Sequence, residues 1–72
     1  MSAKFRVEGP LAGRSIIIEY NPVGSVVKVT AMDERSLTEV SISGPATTPQ
    51  EILNKNVIRR LEYVMRKNGL ID

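Results

Sequence analysis

The chain has 72 residues, 42% of them hydrophobic and 25% charged, with a net charge of +2 and neither histidine nor cysteine. Such a composition fits one folded domain and does not fit disorder. It excludes disulfides, thiol nucleophiles and zinc sites built on nitrogen or sulfur ligands, and no side chain titrates near neutral pH unaided.

A domain this small buries only about 60% of its unfolded surface, and its core seldom nets more than ~3–5 kcal/mol. Self-association is the expected supplement. Ile16-Ile17-Ile18 is far shorter than the ~20 apolar residues a membrane helix needs. Met1-Ser2-Ala3-Lys4-Phe5 lacks the apolar stretch of a signal peptide. A cytoplasmic location with no membrane partner is expected.

In chain order, residues 1–13 are read as a flexible N-terminal arm. Lys4 to Glu8 alternates as a strand would, but Gly9-Pro10 and Ala12-Gly13 follow closely, so a transient edge strand is the alternative. Residues 14–72 form the single domain. Ser15 to Tyr20 is rich in β-branched residues and reads as a strand. Asn21-Pro22-Val23-Gly24 reads as a turn. Ser25 to Asp33 alternates, with Val27, Val29 and Ala31 on one face and Lys28 and Thr30 on the other. Asp33 to Leu37 is a polar connection, and Thr38 to Ser43 alternates again before Gly44-Pro45. Folding the first turn about residues 22 and 23 sets Ile18 opposite Val27 and Ile16 opposite Val29. Folding the second about residues 35 and 36 sets Val29 opposite Ile42 and Ala31 opposite Val40. A one-residue slip of either would turn apolar residues to the wrong face.

A helix then opens at Thr48-Pro49-Gln50-Glu51, the pattern of a capping box with proline at the first helical position. Its apolar stripe is Leu53, Val57, Leu61, Val64 and Met65, widened by Ile52 and Ile58. Gly69 fits the left-handed residue past the end, with Leu70 as the hydrophobic closure. The expected fold is α+β: a three-stranded antiparallel meander followed by one C-terminal helix packed on one sheet face.

Sites for chemistry are few. Asp33, Glu34 and Glu39 gather at one hairpin tip and read as solvated carboxylates. Lys28 could approach Ser43, but a serine–lysine pair needs a buried lysine and an oxyanion hole, which a flat exposed sheet does not supply. The free amides at the helix start could take an anion, yet Glu51 already places negative charge there. No catalytic, cofactor or metal site and no small-molecule substrate is expected.

Binding surfaces are better represented. Between Pro49 and Asn68, Lys55, Arg59, Arg60, Arg66 and Lys67 face only Glu51 and Glu62, whereas the rest of the chain carries five cations against six carboxylates. Arg59, Arg60, Tyr63, Arg66 and Lys67 are the candidate nucleic-acid contacts; a solvated helix flank is the plainer meaning. On the sheet, Ile17, Val26 and Met32 point away from the helix, and Ile16 to Ile18 occupy an edge with no proline or lysine as guard. These make a candidate interface for a dimer or another protein, unless Phe5, Val7 or Leu11 of the arm covers it.

Glu19-Tyr20, Val27-Lys28-Val29-Thr30-Ala31 with Asp33, Glu39-Val40-Ser41-Ile42 with Gly44-Pro45-Ala46, and Leu61-Glu62-Tyr63-Val64 resemble a family of short uncharacterised bacterial proteins. That family is a domain of unknown function, sometimes mislabelled serine hydroxymethyltransferase. The resemblance spans about residues 15–68 and implies no activity. The enzyme label does not suit this chain, which is too short and shows no lysine-centred pyridoxal phosphate site. The expectation is a non-catalytic protein-interaction module that self-associates, with a nucleic-acid-binding module as the alternative.

Overall fold

The computed structural model describes the backbone of residues 2–6 and 9–72 and the side chains of residues 10–72. The elements run β1 (Ser2–Arg6), a 3-10 turn (Gly9–Leu11), β2 (Ser15–Val23), β3 (Val26–Asp33), β4 (Glu39–Pro45) and α1 (Gln50–Lys67). β2, β3 and β4 form the antiparallel meander expected from the alternation, and α1 packs on β3 and β4. The sheet also has a fourth strand. β1 pairs antiparallel with β2, setting Ala3 against Ile18 and Phe5 against Ile16, so the edge-strand alternative describes residues 2–6. The β2 edge that looked unguarded is occupied.

Parity places the core. Ile16 and Ile18 of β2, Val27, Val29 and Ala31 of β3, and Val40 of β4 are buried under Leu53, Val57, Leu61 and Met65 of α1. Leu11 joins them at 0% exposure. Leu11 therefore anchors the first segment into the helix-covered side and does not cover the outer face. Val7 and the side chain of Phe5, the other expected covers, lie outside the described residues. Leu53 lies directly over β4: a Cβ built on Gly44 would stand 3.4 Å from its Cδ2.

The second hairpin has the expected register, Val29 opposite Ile42 and Ala31 opposite Val40. The first does not. Ile18 faces Ala31 and Ile16 faces Asp33, because β2 runs through Asn21-Pro22-Val23 and turns only at Gly24-Ser25. Gly24 has φ +61 and is first of the two loop residues, as a type II′ hairpin requires. Proline survives inside the strand for a geometric reason. Val23 and Val26 close the two-residue turn, so the neighbouring Pro22 directs its nitrogen away from β3, on a stretch past the end of β1 at the Ser2–Glu19 pair. The register moved by an even number of residues, so every apolar side chain kept its face.

The helix ends differ. No side chain caps the N-terminus, and Pro49 is itself the cap residue with ψ 140. The expected capping box does not form. Extended geometry at Pro49 delays the helix by one residue, while the Thr48 amide donates to the Pro45 carbonyl at 3.0 Å. The C-terminus closes as expected: Gly69 takes φ +74, its amide donates to the Arg66 carbonyl, and the Leu70 amide donates to that of Met65, the two bonds of a Schellman motif. The apolar closure comes from Ile71, which packs on the core, whereas Leu70 is exposed.

Candidate functional site

At 100° per residue, Ile52, Lys55, Asn56, Arg59, Arg60, Tyr63, Arg66 and Lys67 fall within an arc of about 140° on α1, so Ile52, expected to widen the buried stripe, stands on the solvent face. That arc lies opposite the buried stripe Leu53, Val57, Leu61 and Met65, and every residue in it is exposed. Glu51 and Glu62 fall outside it. The roll of the helix is fixed by its contacts: Leu53 sits over Gly44, and the Tyr20 hydroxyl donates to Asn54 Oδ1. The five nucleic-acid candidates thus share one surface with Lys55, and the cations extend over about 18 Å of helix. Two of them are held. The Arg60 guanidinium stands 5.7 Å from the Tyr63 ring centroid, a cation–π arrangement that takes up part of the ring expected to stack on a base. Arg66 Nε donates to the Asp72 carbonyl at 3.0 Å.

The sheet's outer face is organised differently from the expected interface. Ile17 and Met32 are cross-strand partners and half-buried, but Val26 is six residues further along β3, or about 20 Å. Between them the face is polar. Thr30 and Ser41 share a 2.9 Å hydrogen bond, and Lys28 pairs with Ser43 across the strands, both exposed. Val26 instead neighbours Val23 and Pro45 at the hairpin end, all exposed.

One residue changes character altogether. Asp33, read from sequence as part of a solvated tip, is 0% exposed. Its Oδ2 accepts from Arg14 Nη1 at 2.8 Å, from the Ser36 amide at 2.9 Å and from the Ser36 hydroxyl at 2.7 Å. Arg14 also donates to the Leu70 carbonyl at 3.1 Å. Burial pushes the Asp33 carboxyl up, but the Ser36 hydroxyl and amide bonds and the Arg14 charge outweigh it and hold the group below its ordinary 3.8. The signal was present in the sequence: Asp33 shares the parity of Val27, Val29 and Ala31. The carboxylate ties β3, the β3–β4 turn, the residues before β2 and the segment after α1 together, and its burial withholds it from a substrate. Among the described residues, no three carboxylates gather as a metal site would need.

Residues 13–68 match the family described as Domain of unknown function (DUF6898). The chain belongs to that family. No curated protein and no solved structure matches it. Among the described residues no helix is long and apolar enough to cross a membrane.

Proposed function

We propose that the domain is a non-catalytic binding module whose working surface is the solvent face of α1, and that its partner is the phosphate backbone of a nucleic acid. One observation carries this reading. Five cations share an exposed arc free of carboxylates, on a helix held rigidly by its opposite side. Backbone contacts need closely spaced cations more than a shaped pocket. With one tyrosine on the arc, already shared with Arg60, the surface is suited to charge and not to base recognition. The family assignment supports no reaction, and the polar middle of the outer sheet face favours α1 over Ile17, Val26 and Met32 as the docking surface. A cytoplasmic site of action accords with such a partner.

Fluorescence anisotropy with labelled RNA and duplex DNA tests it. If about four phosphates are neutralised, affinity for the duplex falls about 10²-fold between 50 and 200 mM salt. Reversing Arg59 and Arg66 to glutamate weakens binding at low salt and flattens the salt dependence by about two charges' worth, with the circular dichroism spectrum unchanged. Absence of binding at 50 mM salt, or equal binding by the reversed variant, would refute the proposal.

A further inference from the structure

The strand order β1-β2-β3-β4 leaves β4 with a strand on one side only. The bonds that frame its ladder to β3 run from the Asp33 amide to the Thr38 carbonyl and from the Ala46 amide to the Ser25 carbonyl, at 2.9 and 2.8 Å. Since antiparallel bonding alternates, Val40, Ile42 and Gly44 bond to β3, and Glu39, Ser41 and Ser43 direct their N–H and C=O groups out of the sheet. Their side chains are exposed. The stretch is bounded at both ends. Pro45 has no N–H to donate, and Leu37 takes φ 60, which is not strand geometry. No lysine or proline interrupts it between Glu39 and Gly44, so the guards of this edge, Glu39 and Pro45, stand only at its two ends.

We propose that β4 pairs antiparallel with β4 of a second copy of the chain, about a two-fold axis at Ser41. In that register Ser41 faces itself, and Glu39 faces Ser43 of the second copy. A shift in one direction leaves fewer pairs and brings the two Glu39 residues toward each other; a shift in the other carries the Pro45 ring into the ladder. Charge supports the same alignment. Lys28 is the cross-strand partner of Ser43, so each Glu39 lies two strand spacings, about 10 Å, from Lys28 of the other copy. Two long side chains span that distance over the small serine between them. The axis stands perpendicular to the sheet, so both α1 helices share one face of a continuous sheet. The pairing does not depend on nucleic-acid binding.

The interface is small and built on main-chain bonds, which places it among weak associations. Sedimentation velocity from about 10 to 500 µM covers the micromolar range expected, and the wild-type mass is expected to rise from monomer to dimer across it. Ser41→Pro removes an N–H that already faces outward, so it leaves the β3–β4 ladder and the circular dichroism spectrum intact and abolishes the dimer. The chain has no cysteine, so Ser41→Cys introduces a lone thiol that links to its counterpart under mild oxidation, whereas Lys28→Cys, one strand in from the edge, does not. Glu39→Lys weakens the dimer about fivefold, and Glu39→Lys with Lys28→Glu restores it; this arm stands if the proline variant fails to fold. A wild-type protein monomeric throughout, equal cross-linking of the two cysteine variants, or a folded Ser41→Pro dimer would overturn the proposal.

Discussion

Removing Arg14 should nearly unfold the protein. The Asp33 carboxylate is 0% exposed, and among the described residues its Oδ1 has no hydrogen-bond partner, so its charge is held entirely by the three donors on Oδ2. Arg14→Ala deletes the charged donor and leaves a buried anion on Ser36 alone. Breaking a buried pair by removing one partner costs about 3–5 kcal/mol. The Arg14 side chain is 13% exposed, so water partly fills the gap and the low end, about 3 kcal/mol, is expected. A core of this size nets only ~3–5 kcal/mol, so the variant has little stability left. Asp33→Asn should cost less, about 1–2 kcal/mol, because its carbonyl oxygen still accepts from Ser36. The two changes share one network, so the double variant should lose less than the sum of the singles.

The same group sets an acid limit. Its folded pKa lies below the ordinary 3.8, so the unfolded chain takes up the proton first as pH falls. The stabilisation is present in full above that ordinary value and is lost as pH drops through the lower folded value. Urea unfolding followed by circular dichroism, at pH 7 and at steps between pH 4 and 2, measures both effects. A cost below about 1 kcal/mol for Arg14→Ala, or the same acid slope in Asp33→Asn as in wild type, would refute the account of Asp33 as a paired buried anion.

Two substitutions test the hairpin and the helix start by urea unfolding. Thr48→Ala should cost less than about 0.5 kcal/mol, since Thr48 caps nothing, whereas a formed capping box would lose about 1 kcal/mol. Gly24→Ala meets no atom within 4 Å and should still cost about 1–3 kcal/mol, because a side chain is strained at its positive φ; a neutral result would mean that the β2–β3 turn is not at Gly24-Ser25.

The meander, the helix and the core were legible because their signals are periodic. Alternation in β3 and β4, and the Leu53, Val57, Leu61 and Met65 stripe, fix faces whatever the register, so the shifted β2–β3 pairing left the buried set untouched. Features decided by single residues were not. Asn21-Pro22 outranked Gly24-Ser25 as a turn signal because proline is the stronger breaker, and nothing local reveals that the Pro22 nitrogen faces an open edge. Thr48 matched a capping pattern that the extended backbone at Pro49 prevents. β1 escaped notice as a stable element because its pairing with β2 is made only in the folded sheet.

The same distinction explains which functional surfaces the sequence located. The basic arc follows from helical period alone, and its five proposed contacts come together with Lys55 because α1 is regular from Gln50 to Lys67. The sheet-face trio failed to converge because parity tells which face a residue occupies and not how far along the strand it stands; Ile17 and Met32 share a level, and Val26 does not. An edge is a still more global property. With β1 added on one side, the Ile16–Ile18 edge is closed and the open edges of the sheet are those of β1 and β4; on β4, serines keep the rim polar and leave the amide of Ser41 open to a matching strand.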